Sequence, residues 1–514
     1  MNIRTTGHRA PSPSPSPSSP SPSPSPSRRG VGQLRAPYAE AVLGHAERDW
    51  LRLNVPGHAA APGSDLARFF GSRITALDFP PLMDGIDLGP DTPLDTALAL
   101  AAEAWGARRT WFLTNGASQG NQIASMVAPA LGRTLVVQRS VHSSVIDGLV
   151  LSGLDAVFVQ PSVDPEQGIA HGVTAADVAV ALDRTPDAAA VYIVSPSYFG
   201  AVADVRAIAD TAHAAGVPLI VDEAWGSHFG FHPGLPANAL FEGADLVTSS
   251  THKLAGSLTQ SAMLHLAEGP FADRLEPLVD RAFRLVQSTS ASALLTASLD
   301  LARRSLVTDA DATGRSVEAA DRVRGAVRAL GRFKVVSDGF RAFPDIVRAD
   351  PLRIAIDTRA GGIPGHEARR RLFLDHRVLV EVATDAAVVA AIGAGAVPDT
   401  DRFVEALHAL PSPLTTGSAV GGDNSMLRLP APGAAKLTAR EAFLSPALVV
   451  SAREAVGRIS SDTLAAYPPG IPNVLPGEVI TAEAVRFLQR TAAAPNGHVR
   501  GALDLGVTRL RVVA

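Results

Sequence analysis

At 514 residues the chain is too long for a single small module and, at about 150 residues per domain, reads as roughly three domains. Hydrophobic residues at 46% and charged residues at 19% exclude wholesale disorder, and the absence of cysteine removes disulfide frameworks, thiolate metal sites and cysteine nucleophiles together. Residues 1–39 hold five arginines and no acid, which leaves 41 basic against 50 acidic side chains in the rest, too acidic a body for nucleic acid to be its main partner.

In chain order, residues 11–27 are all proline or serine, so 1–30 form a leader that cannot bury apolar surface and stays outside the fold. The first ten residues lack the apolar stretch of a secretory signal and no later run approaches the ~20 residues of a membrane span, so the protein reads as cytoplasmic and without a membrane partner. From 96 to about 266, short β-rich runs alternate with alanine-rich helical stretches. The expected strands are Thr110–Asn115, Thr134–Gln138, Ala156–Gln160, Val191–Ser195, Leu219–Asp222, Leu246–Ser249 and Ala262–Leu266. Between them fall helices Gln119–Leu131, Ser143–Ser152, Ala175–Asp183 and Val205–Ala215, long enough for right-handed crossovers. The fold class is therefore α/β with a mostly parallel sheet in a large domain over 31–310. A helix over 311–328 and strands Phe333–Ser337, Arg353–Asp357 and Val378–Val382 predict a smaller α+β domain over 311–430. A third unit, 431–514, ends in a strand-like Arg509–Val513.

Ligands in such sheets sit outside the carboxyl ends of the strands, so the residues just past each run carry the chemistry. After the first run, Gly116-Ala117-Ser118 opens a helix whose free N–H groups would hold a phosphate, although taken alone the signal is weak and a plain helix cap explains it better. After Leu219–Val221 an acid, Asp222, leaves a buried run, where a structural ion pair is the bland explanation. After Leu246–Ser249 come Ser250, Thr251, His252 and Lys253. Lysine occurs only at 253, 334 and 436, and an amine at the end of a core strand is costly unless it is neutralised or covalently bonded. Lysine, acid and phosphate cradle together are what pyridoxal phosphate requires, and His142, past the second run, would stack on its ring. No metal site is expected.

These residues resemble the fold-type-I (aspartate aminotransferase-like) pyridoxal-phosphate-dependent ornithine/lysine/arginine decarboxylases, in particular short bacterial members that lack the N-terminal wing domain. The matching stretches are Val55–His58, Ala101–Ala107, Asn115–Ser118, Val141–Ser144, Asp222–His228, Ser250–Gln260, Gln287–Leu299 and Tyr467–Pro472 with Pro476–Glu478. The resemblance implies that Lys253 carries the cofactor, Asp222 pairs with the pyridine nitrogen and His142 stacks on the ring. It puts Ala117, Ser118, Ser250 and His252 around the phosphate and Ser197 near the ring hydroxyl. Ser288 and Thr289 would reach a phosphate across a dimer interface, making the protein a homodimer or higher homo-oligomer with shared active sites.

The implied reaction is α-decarboxylation of a basic L-amino acid, arginine before lysine or ornithine, to a polyamine precursor and carbon dioxide. Its distal cation needs an acid, for which Glu478 is the first candidate and Asp84 and Asp87 follow. The proton donor to Cα is left open between His142 and Lys253. Three departures from the family pattern, Ser143, Trp225 and Ala293, bear on the substrate rather than the cofactor. The same cofactor set would serve an aminotransferase, lyase or oxidative deaminase, and a non-catalytic binding protein is the remaining alternative.

Overall fold

The structure, a computed structural model, describes residues 31–411, 429–467, 471–494 and 497–514. The Pro/Ser leader, and residues 468–470 of the Tyr467–Pro472 motif, lie outside them. The large domain is built on seven strands, β1 (Arg109–Leu113), β2 (Thr134–Gln138), β3 (Asp155–Val159), β4 (Ala188–Val194), β5 (Leu219–Asp222), β6 (Leu246–Ser249) and β7 (Ala262–Leu266), in the order β1-β7-β6-β5-β4-β2-β3. From β6 to β3 all neighbours are parallel, and β7 runs antiparallel between β1 and β6. Strands β2, β5, β6 and β7 are buried along their whole length because both faces of the sheet are covered. The period of two divides their side chains: Val136, Val191, Val221 and Val247 enter one apolar layer, whereas Leu135, Val137, Ile220 and Leu246 enter the other.

Two helices complete the site end of the sheet. Helix α1 (Gly116–Val127) follows β1 and helix α2 (Ser143–Ser152) follows β2. A Cβ at Gly120 would lie 2.6 Å from Thr248 of β6, and one at Gly148 would lie 2.4 Å from the Ser125 hydroxyl of α1. Glycine at these two positions lets α1 press on the sheet and α2 press on α1. The first expected helix, Gln119–Leu131, in fact starts three residues earlier. Gly116 enters it with φ +70°, and a 3₁₀ turn over Ala128–Ala130 ends it where Pro129 removes a donor.

The long helix Ala310–Leu330 packs on a four-stranded antiparallel sheet formed by Lys334–Val335, Arg353–Asp357, Ala387–Ala391 and Val382–Ala383, with an apolar cluster of its own. Two expected strands are shorter than the pattern suggested. Phe333–Ser337 keeps only Lys334–Val335 before a 3₁₀ turn, and Val378–Val382 becomes Val382–Ala383 because Arg377, at φ 54°, ends a helix and turns the chain. Strand Ala387–Ala391 went unnoticed because three of its five residues are alanine.

The last body holds a three-stranded sheet (Leu464–Tyr467, Ile471–Val474, His498–Arg500), the pair Ala447–Ser451 and Arg509–Val513, and helix Ala482–Ala493 around another apolar cluster. It rests on α2, where Arg440 donates to the Leu151 carbonyl at 3.0 Å. Among the described residues no helix is long and apolar enough to cross a membrane.

Candidate active site

Strands β1, β2, β4, β5 and β6 deliver their carboxyl ends to one cavity of about 200 Å³, lined among others by Ser118, His142, Ser197, Asp222, Ser250 and Lys253. Asp222 closes β5 and is 3% exposed. Its Oδ1 accepts the Ala224 N–H at 3.0 Å and its Oδ2 accepts from Asn121 Nδ2 at 2.8 Å. Asn121 also donates to Ser144 Oγ at 3.0 Å and accepts from the Tyr192 hydroxyl at 2.9 Å, so a buried network fixes the carboxylate without placing a cation on it. His142 caps α2: its Nδ1 accepts the Ser144 N–H at 3.2 Å and lies 2.9 Å from Ser144 Oγ. That geometry assigns the neutral tautomer with its proton on Nε2. Burial drops the imidazole to about 4, with the Asp222 charge opposing and the Lys253 charge assisting.

Lys253 stands on the four-residue helix Thr251–Leu254 directly after β6, and its Nζ lies 4.0 Å from the centroid of the Trp225 ring. Burial drives its amine down to about 8; Asp222 opposes this and Arg353 reinforces it. Arg353, from the small domain, stacks on the same indole at 3.9 Å and donates to the Tyr198 carbonyl, outside the cavity lining. An aromatic plate thus touches two cations, one of which is a tunable amine.

Around the other end of the cavity, Gly116, Ala117 and Ser118 form the first turn of the 12-residue α1, and Ser250 is buried at the start of the Lys253 helix. His252 Nδ1 lies 3.0 Å from the Ser261 carbonyl, to which it donates, so its Nε2 donates to a phosphate only in the protonated form. Ser197 Oγ accepts from the N–H groups of Phe199 and Ala201 at 3.3 and 3.2 Å, which leaves its own proton for a cavity ligand. An amine, a buried carboxylate and a helix N-terminus with hydroxyls fit pyridoxal phosphate.

Not every expected residue meets here. Glu478 is a correction: both its oxygens face Arg139 Nη2, at 3.2 and 3.0 Å, and Oε2 also accepts the Leu475 N–H at 2.9 Å. It is a closed ion pair joining the last body to the large domain, outside the cavity lining. Asp84 is exposed beside a backbone bridge to Leu88 and Asp87 accepts the Met83 N–H at 2.7 Å, so neither reaches the cavity of its own chain. Ser288 and Thr289 are exposed in the loop after helix Ala272–Val286, also outside the lining. The Ser143 departure is occupied by a distant cation: Arg500 of the last body donates to Ser143 Oγ and to Asp147 at 3.3 Å. Asn121 and His171, both in the cavity lining, were missed. Asn121 was findable, since it lies three residues past Ser118 and four past Ala117 on one helical face.

The sheet order, the cavity at its carboxyl end and the amine–acid pair define a fold-type-I pyridoxal-phosphate enzyme. Residues 36–348 match the family model described as Orn/Lys/Arg decarboxylase, major domain, and 427–497 match the corresponding C-terminal domain; the chain belongs to this family. It is therefore a pyridoxal-phosphate-dependent decarboxylase. It is 32% identical over 491 residues to the arginine decarboxylase of Bacillus subtilis (strain 168), covering 94% of this chain and 99% of that one. It is 34% identical over 499 residues to the arginine decarboxylase of Halalkalibacterium halodurans, covering 94% and 98%. Among solved structures, the fold is shared with a lysine decarboxylase of Francisella novicida at TM-score 0.78 and 18% identity, over 94% of this chain and 82% of that one.

Proposed function

We propose that this chain decarboxylates L-arginine to agmatine and carbon dioxide, with lysine and ornithine as weaker substrates. The observation that carries the proposal is the Lys253 amine, held in the cavity beside Asp222 and poised near neutrality, in a chain that arginine decarboxylases match over 94% of its length. Pyridoxal phosphate, when bound, supplies an electron sink for the bond between Cα and the carboxylate. Lys253 would hold it through Nζ, and its lowered pKa supplies the neutral amine that such a link requires. Asp222, oriented by Asn121 and Ala224, keeps the pyridine nitrogen protonated. His142 would cover one ring face, and its Nε2 proton and the Lys253 amine are the two sources that would protonate Cα. Ala117, Ser118 and Ser250 would take the phosphate, His252 joining them only when protonated, and Ser197 would donate to the ring hydroxyl.

The chain works as a homodimer or larger homo-oligomer in which Ser288 and Thr289 serve the neighbour's cavity. Their exposure supports this, as do the bare apolar side chains Leu51, Leu53, Phe69 and Leu82 of the N-terminal segment. Its proposed place is the cytoplasm. The test is mass-spectrometric product analysis of the loaded enzyme given arginine, lysine and ornithine together. Agmatine as the main product is expected; keto acids alone would sink the reading.

A further inference from the structure

One wall of the cavity carries a group for which the chemistry above has no use. His171 follows the hairpin of Val163–Asp164 and Ile169–Ala170, lines the cavity and is 1% exposed. Its backbone is fully held, the N–H donating to the Ser162 carbonyl at 2.8 Å and the carbonyl accepting from Gln138 Nε2 at 3.1 Å. Its ring is not, because neither Nδ1 nor Nε2 has a hydrogen-bond partner. Phe343 and Phe340 pack edge-on against it, with centroids 4.6 and 5.4 Å away. A purely packing role at this spot would favour a phenylalanine, since each unmet buried polar group is destabilising. Beside it, Asp345 is equally buried; its Oδ2 accepts the N–H of Gly172 at 2.7 Å and its Oδ1 has no partner.

Burial keeps the imidazole neutral, and the charges of Asp345 and Asp164 act on it. A neutral imidazole offers one acceptor nitrogen, and a buried carboxylate next to it favours a cation and repels an anion. The acids expected to meet the substrate's far end, Glu478, Asp84 and Asp87, lie outside this cavity, so the position is open. We propose that His171, backed by Asp345, is the subsite for the distal guanidinium or ammonium of the basic substrate. The ring accepts a hydrogen bond from the cation, the Asp345 charge holds it, and Phe340 and Phe343 fix the ring plane. This rests on the decarboxylase reading for the identity of the substrate and adds to it the group that selects a basic side chain.

The experiment measures calorimetric affinities of the cofactor-loaded enzyme for agmatine and for hexylamine, an apolar amine of similar length, with arginine turnover followed on the same preparations. The wild type is expected to prefer agmatine. His171→Phe should lose about tenfold or more of that preference with its cofactor absorbance intact, and His171→Gln, which keeps an acceptor, should retain most of it. Asp345→Asn should lose part of it and decides the matter should His171→Phe fail to fold. An undiminished preference in His171→Phe, or in Asp345→Asn where only that variant folds, overturns the proposal. So does a wild type without preference, and arginine turnover in that sample then shows separately whether the decarboxylase reading stands.

Discussion

Asp222 and Glu478 are both buried carboxylates that follow β-rich runs, and they have opposite uses. Asp222 is held by two neutral donors, Ala224 N–H and Asn121 Nδ2, and faces a cavity with lone pairs to spare. Glu478 is closed by the Arg139 guanidinium and the Leu475 N–H, 339 residues separating the partners of the ion pair. A buried charge without a cation is expensive, and a protein keeps one where a ligand will complete it; a charge already paired joins two bodies.

This contrast is best broken from the cavity side first. Lys253→Ala should lower kcat by about 10³-fold or more and abolish the visible absorbance of bound cofactor, with an unchanged circular dichroism spectrum. Asp222→Asn, nearly isosteric within its network, should cost about 10²–10³ in kcat with unfolding midpoint nearly unmoved, because what is lost is charge rather than packing. At the seam the pattern should invert. Arg139→Ala leaves Glu478 buried and unpaired and should cost about 3–5 kcal/mol in denaturant unfolding, while the double change Arg139→Met with Glu478→Leu should recover most of it. Equal damage to cofactor loading and to stability at both sites would mean that the two carboxylates serve the same purpose.

The smallest effect is a pH dependence. Burial sets His142 near 4 in the folded chain, below an ordinary imidazole, so between about pH 6.5 and 4 the unfolded chain binds a proton that the folded one does not. Stability therefore falls as the pH drops through that window and the penalty levels off below it. Comparing wild type with His142→Asn in urea at pH 7, 5.5 and 4 should show a shallower acid loss in the variant; parallel curves would mean that His142 titrates alike in both states.

The strands of the central sheet were legible because short β-rich runs such as Thr134–Gln138 and Leu246–Ser249, too short for helices and buried throughout, have one reading once helices cover both faces. The cofactor end was legible for a related reason, since Asp222 and Lys253 sit where such runs stop and the chain turns into the cavity. What the sequence hid was pairing over distance. Nothing local to Glu478 announces Arg139, nothing near Ser143 announces Arg500, and the unmet nitrogens of His171 exist only once Phe340 and Phe343 close around it. The alanine strand Ala387–Ala391 was hidden differently, by residues that favour helix over strand.

Of the three lysines, Lys334 and Lys436 are exposed and Lys253 faces the cavity. Amine-directed acylation read by peptide mass therefore carries built-in controls: two surface sites report reagent exposure, and the third reports whether the pocket is filled. The fraction of Lys253 left unmodified, set against a cofactor-free sample, then tracks cofactor occupancy in any preparation with no need for turnover.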